Sequence, residues 1–201
     1  MSFDHLNTVG DWPEEPVSLF REWFDLVEKQ NVPEPEAMAL ASCSKQGIPS
    51  VRVVLLRGFD ERGFCFFTNY ESRKGQELIS NPVAAATFYW RDPYLQVRIE
   101  GTVEKQSPEE SDAYFNSRPR ANRASSFVSN QSRSIDDFRS LRQAADQLLQ
   151  SDEAAMRPDH WGGFRIVPVK IEFWAGSQDR MHRRCEFTKT EDGWDKILLA
   201  P

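Results

Sequence analysis

The run Val51-Arg52-Val53-Val54-Leu55-Leu56 decides the architecture. It is apolar on both faces apart from one arginine, as expected of a strand in a barrel wall that also packs on something outside. Its neighbours in sequence are strands as well. Ala37–Ser44 and Ser50–Phe59 flank Lys45-Gln46-Gly47 and read as a hairpin. The turn Asp60-Glu61-Arg62-Gly63 leads into Phe64–Asn69, and Val83–Arg91 and Leu95–Lys105 surround Asp92-Pro93. Phe164–Trp174, Arg184–Thr190 and Trp194–Leu199 close the chain.

Helices fill the gaps. Pro16 opens one that carries Val17, Phe20, Trp23, Phe24 and Val27 at helical spacing to about Lys29. Ser72–Asn81 is a short helix ended by Pro82. Ser107-Pro108-Glu109-Glu110 starts a third, with a capping box from Ser107 and Glu110, and it sets Tyr114 and Arg118 four apart on one face before Pro119. A fourth begins after Ser134 with Phe138, Leu141, Ala145 and Leu148 as its apolar stripe, and residues 152–163 form a loop. About eight strands and four helices, with adjacent strands joined by short turns, mean antiparallel pairing. The fold class is mainly β with flanking helices, a small closed or split β-barrel. Residues 1–14 are expected as a mobile N-terminal arm and residues 15–201 as a single domain.

The 201 residues carry 25 Lys and Arg against 31 Asp and Glu, a net charge of -6. That length buries a sizeable core without disulfides or a structural metal. Cys43, Cys65 and Cys185 make no disulfide framework and suit a reducing, cytoplasmic setting. No apolar stretch is long enough to span a bilayer, so no membrane partner is expected. The acidic total argues against nucleic acid. Zinc spacing, a phosphate-binding Gly-rich loop and a G-x-S-x-G elbow are all missing from the sequence.

What remains is a set of anion-binding groups on a β framework. Arg52 is a lone charge in an apolar strand and must find a partner, an internal salt bridge being the slightly favoured one. Arg73 and Lys74 follow Ser72 at a helix start, where cations and the helix N-terminus together suit a phosphate. Tyr114 and Arg118 could grip a second anion, although an ordinary aromatic–arginine stack would also explain them. Together these features suggest two phosphate-bearing ligands.

The segments Arg52-Val-Val-Leu-Leu-Arg57-Gly-Phe-Asp and Phe66-Phe-Thr-Asn-Tyr-Glu-Ser-Arg-Lys-Gly75 closely resemble the pyridoxamine 5'-phosphate oxidase family. So do Gln96-Val-Arg-Ile-Glu-Gly101, Ser111–Pro119, Asn130-Gln-Ser132, Trp161-Gly-Gly-Phe164, Ile171-Glu-Phe-Trp174, Arg180-Met-His182 and Leu199-Ala-Pro201. The resemblance implies an FMN-binding split barrel that works as a homodimer. It also implies oxidation of pyridoxamine or pyridoxine 5'-phosphate to pyridoxal 5'-phosphate, with oxygen reduced to hydrogen peroxide. By resemblance Arg52, Arg73 and Lys74 hold the FMN phosphate. Phe67, Thr68, Gln96, Gln131 and Ser132 contact the rest of the flavin, and Trp174 and Arg184 reach it from the other subunit. Arg57, Tyr114, Arg118 and Asn122 hold the substrate phosphate. Arg180 and His182 line the substrate ring as the catalytic pair, with His182 a possible general base.

The chain departs from the family pattern mainly around the substrate. Arg57 stands where Lys is usual, Asn122 where Ser is, Leu95 where Arg is, and Arg183 where an acid is. Phe67 replaces a frequent Tyr, Ala124-Ser125-Ser126 replaces Ile-Gly-Ala, and Leu198 replaces an Arg. These changes keep two alternatives open: an FMN oxidase of another aromatic substrate, such as a phenazine precursor, and a non-catalytic flavin-binding protein.

Overall fold

The hairpin expected around Gly47 is present as β1 (Ala37–Cys43) and β2 (Pro49–Leu55), paired antiparallel from Ala37↔Leu55 to Cys43↔Pro49. The strand expected to run on to Phe59 breaks after Leu55. The Leu56 N–H still bonds the Glu36 carbonyl at 2.8 Å, but the Arg57 N–H bonds the Cys65 carbonyl. The chain therefore leaves one strand partner for another at this corner. It continues as β3 (Gly58–Asp60) against β4 (Gly63–Asn69).

The structure is a computed structural model that describes residues 3, 5–150 and 156–201. Its remaining strands are β5 (Val83–Trp90), β6 (Leu95–Lys105), β7 (Trp161–Ala175), β8 (Arg183–Lys189) and β9 (Trp194–Leu198). The antiparallel order is β2-β1-β5-β6-β7-β4-β3, with β8 on β7 and β9 on β8. β7 is the spine. β6 ladders along it, β4 pairs its first half, and β8 pairs its second. It also carries Pro168 beside the irregularity at Glu100/Gly101, where a missing N–H does least harm. Among the described residues β2 and β4 approach each other without a ladder, so the barrel is split there.

The helices are α1 (Pro16–Lys29), α2 (Arg73–Ser80), α3 (Pro108–Ser117), α4 (Arg120–Val128) and α5 (Phe138–Leu149). The described residues thus hold nine strands and five α-helices, against about eight and four expected. α1 buries Val17, Phe20, Trp23 and Val27 as its spacing requires. Phe20 plugs one end of the barrel, with Phe59, Phe64 and Phe88 at ring distances of 4.8–5.1 Å. The Ser107–Glu110 capping box forms. α4 was not expected. It starts directly after Pro119, which serves as its N-cap. In α5 the stripe read as apolar finds no core: no residue of the helix is buried and Phe138 is 78 % exposed.

Trp161-Gly-Gly163, read as the end of a loop, is strand, paired with Asn69, Thr68 and Phe67. The part of that expected loop before Met156, residues 152–155, lies outside the described residues. In the segment read as an arm, Leu6 and Trp12 are buried in the core cluster, and Lys196 Nζ donates to the Trp12 carbonyl at 2.5 Å. No helix among the described residues is long and apolar enough to cross a membrane.

Candidate active site

A cavity of about 950 Å³ opens in the split between β2 and β4. β2 supplies one wall from Ser50 to Leu55, β4 supplies Phe67, Thr68 and Asn69, and α3 and α4 supply the far side. Five cations line it, Arg52, Arg57, Arg73, Lys74 and Arg118, and no carboxylate does among the described residues.

At one end sit Arg52, Arg73 and Lys74. Ser72 caps α2 by accepting from the Gly75 N–H at 3.3 Å. Only glycine fits at 75, because a Cβ there would lie 2.3 Å from the Tyr70 carbonyl oxygen. That close return tucks the N-terminus of α2 beneath the end of β4, so its first two side chains line the cavity. Lys74 Nζ is buried and donates to Thr68 Oγ1 at 2.9 Å and Gln131 Oε1 at 2.8 Å. Burial, with Arg52 nearby, pulls its pKa down to about 8.

Arg52 finds the expected internal partner. Its guanidinium donates to the Leu40 carbonyl and to the Ser42 and Ser50 hydroxyls, and it lies 3.5 Å from Glu77 Oε2. Glu77 Oε1 accepts from Arg73 at 2.9 Å. Burial alone would raise the Glu77 carboxyl. Hydrogen bonds from Ser42, Ser50 and Arg73 outweigh it and hold the pKa at about 2. Sequence reading missed Glu77, although its i,i+4 spacing from Arg73 was available as a signal.

At the other end are Arg57, Tyr114, Arg118 and Asn122. Arg118, expected on one helical face with Tyr114, lies beyond the end of α3. It follows α3 in extended conformation (φ -76, ψ 148), because the residue before a proline is driven out of the helical region. The aromatic stack is also different. Tyr114 lies on Phe67 at 4.0 Å, while the Arg118 guanidinium lies over Trp161 at 4.6 Å. Its Nη1 donates to Ser126 Oγ at 2.8 Å. Burial pulls the Arg118 pKa below the ordinary arginine range, and neighbouring Arg57 adds to the effect. Arg57 itself lies 3.7 Å from Glu36. Trp161 and Ser126 stand in segments the sequence reading quoted, but their contact with Arg118 arises by tertiary approach.

Gln131 and Ser132 complete the cavity, whereas Gln96, Trp174, Arg180, His182 and Arg184 do not line it. These five gather at the far end of β7. Gln96 faces Trp174 across β6 and β7, and Trp174 faces Arg184 across β7 and β8. The His182 ring lies 4.6 Å from that of Trp174. His182 Nδ1 accepts from the Ser177 backbone N–H at 3.0 Å. A backbone N–H can only donate, so neutral His182 carries its proton on Nε2. Arg184 Nε and Nη2 both reach one oxygen of buried Glu172 at 2.8 Å, and Arg98 reaches the other. Trp161 at the cavity and Trp174 in this group are separated by roughly 40 Å of strand at about 3.3 Å per residue.

The family model described as "Pyridoxamine 5'-phosphate oxidase" matches residues 27–152. A second, "Pyridoxine 5'-phosphate oxidase C-terminal dimerisation region", matches residues 161–201. A Paraburkholderia phymatum protein named pyridoxine/pyridoxamine 5'-phosphate oxidase is 47% identical over 96% of this chain and 92% of its own length. A protein of the same name from Pseudomonas paraeruginosa is 47% identical, covering 94% and 90%. Among solved structures, PhzG from Burkholderia lata in complex with tetrahydrophenazine-1-carboxylic acid has a TM-score of 0.94 at 34% identity, covering 100% and 98%. A pyridoxamine 5'-phosphate oxidase-related, FMN binding protein from Nostoc punctiforme shares the fold, with a TM-score of 0.75 at 16% identity, covering 90% and 96%.

Proposed function

The chain belongs to the pyridoxamine 5'-phosphate oxidase family, and from that premise we propose that it oxidises pyridoxamine or pyridoxine 5'-phosphate to pyridoxal 5'-phosphate. FMN is the cofactor, and oxygen is reduced to hydrogen peroxide. One observation carries the reading. Among the described residues no carboxylate lines the cavity, and Lys74 and Arg118 give their hydrogen bonds there to neutral oxygens. A desolvated cation without counter-charge is costly, and a phosphate at each end would supply it.

The donor set fits FMN. Arg52, Arg73, Lys74 and the N-terminus of α2 would hold its phosphate. Thr68, Gln131, Ser132 and Phe67 would line the remainder. When bound, FMN supplies the two-electron acceptor. The other phosphate would rest on Arg57, Tyr114, Arg118 and Asn122. Holding both ligands by their phosphates aligns the reacting carbon, and binding energy at the remote group serves orientation at the reacting one. His182 would donate to the substrate ring through Nε2–H, with Arg180 beside it.

The second half of the site comes from a second copy of the chain. Val51 and Val53 on β2 are 69% and 67% exposed, so the outside partner expected for this strand is not found among the described residues. The match to a dimerisation region spans β7 to β9, which carry Trp174 and Arg184. A homodimer would bring that group to the neighbouring cavity.

The test mixes purified protein, FMN and pyridoxamine 5'-phosphate under air. Pyridoxal 5'-phosphate and hydrogen peroxide are expected in equal amounts. No turnover of either vitamin phosphate ends the reading. Turnover of a phenazine-type aromatic acid instead would align the chain with the Burkholderia lata protein, and a flavin that no substrate reduces would mark a carrier.

A further inference from the structure

Arg118 is held in a way that none of the functions above requires. Its guanidinium lies over the Trp161 ring at 4.6 Å and is held at one corner by Ser126 Oγ at 2.8 Å. The Ser126 hydroxyl has one proton, and it goes to the Asn122 carbonyl at 3.0 Å. The lone pairs of Ser126 therefore face Arg118, and a hydroxyl that is itself donating is the better acceptor. Ser126 is tethered in turn, because its carbonyl oxygen lies 3.0 Å from His160 Nε2. His160 adjoins Trp161, so one dipeptide at the start of β7 supports both the helix that carries the hydroxyl and the ring beneath the arginine.

We propose that Ser126 is a positioning residue that aims Arg118 at the substrate phosphate and thereby sets the preference for phosphorylated over unphosphorylated substrate. The inference rests on the oxidase reading. An arginine side chain has many rotamers to lose on binding an anion, and a clamp that fixes one of them beforehand removes part of that loss. The clamp engages one of five N–H groups, so the remaining edge stays available for two parallel bonds to a phosphate. The hydroxyl touches Arg118 rather than a reacting atom, so it acts on binding and not on the chemical step.

The experiment compares the parent, Ser126→Ala and Ser126→Thr as FMN-loaded enzymes. Each is assayed with pyridoxamine 5'-phosphate and with unphosphorylated pyridoxamine, and each is titrated with pyridoxal 5'-phosphate by calorimetry. In Ser126→Ala, KM for pyridoxamine 5'-phosphate should rise about five- to tenfold and product affinity should fall by the same factor. The kcat should stay within about twofold, and kcat/KM for pyridoxamine should match the parent. Ser126→Thr keeps the hydroxyl and should restore the parent values. An unchanged KM, an equal loss with both substrates, or no rescue by threonine would overturn the inference. A parent that turns over neither phosphate would instead overturn the oxidase reading.

Discussion

The cavity and the group at the far end of β7 are both basic and aromatic, yet their charges are balanced differently. In the cavity, buried Lys74 and half-buried Arg118 meet only neutral oxygens among the described residues. At the far end, Arg184 is already neutralised by buried Glu172 through two contacts of 2.8 Å. The first region has charge to offer an incoming anion. The second offers a preassembled surface, with Trp174 against His182 and the His182 tautomer fixed by Ser177. Affinity for phosphate belongs to the first region, and shape and orientation to the second.

The largest effect tests whether the two regions meet between chains. A cavity variant, Arg73→Ala with Lys74→Ala, and a far-end variant, Arg180→Ala with His182→Ala, should each be nearly inactive. Co-expressed, they should recover about a quarter of parental activity, because half the dimers are mixed and each holds one intact site. Activity no greater than the sum of the separate variants would place both regions in one chain's site. Next comes Arg118→Ala. KM for pyridoxamine 5'-phosphate should rise about 100-fold while FMN titration is unchanged, since a charge-assisted contact is lost from one end only. Equal loss of FMN would merge the two ends of the cavity into one.

Glu77→Ala probes the balance inside the cavity's own wall. It leaves Arg52 partly buried without its carboxylate, and chemical denaturation at pH 7 should show a loss of about 2–3 kcal/mol. Glu77 is held at about 2 against an ordinary 4.5. Its stabilisation is therefore complete above about 4.5 and fades as pH falls toward 2. The variant should lack that part of the acid slope. An equal slope in parent and variant would show that Glu77 is not the group responsible. The smallest effect is the pH dependence of FMN binding. Lys74 is cationic below about 8 and loses its charge above it. Affinity should weaken by at most about tenfold per pH unit beyond 8, and Lys74→Arg should flatten the decline in a fluorescence titration at pH 7, 8 and 9.

Periodicity and turn chemistry made most of the fold legible. The α1 stripe, the Gly47 hairpin and the Ser107 capping box depend on residues close in sequence, and each formed as read. The misreadings occur where tertiary contacts override local pattern. Leu56 and Arg57 look like continuous strand, but their N–H groups turn to different partners. The Trp161-Gly-Gly163 glycines look like a loop. Instead, Gly162 is strand that leaves room for Tyr70, whose hydroxyl would lie 2.1 Å from a Cβ there. In the site, Arg52, Arg73 and Lys74 were conspicuous because charge in an apolar strand or at a helix start is unusual. Glu77, Ser126 and Trp161 were not, because their importance lies in what packs beside them.

β7 carries a consequence of its own. It is laddered to β6 along its length and to β4 and β8 at its two ends, so its ends cannot fold toward each other. If both ends must serve one reaction, completing a site becomes a matter of mass action. Specific activity would then fall on dilution while each chain stays folded. A ligand bridging two copies would hold the pair together by the same free energy with which the pair retains the ligand.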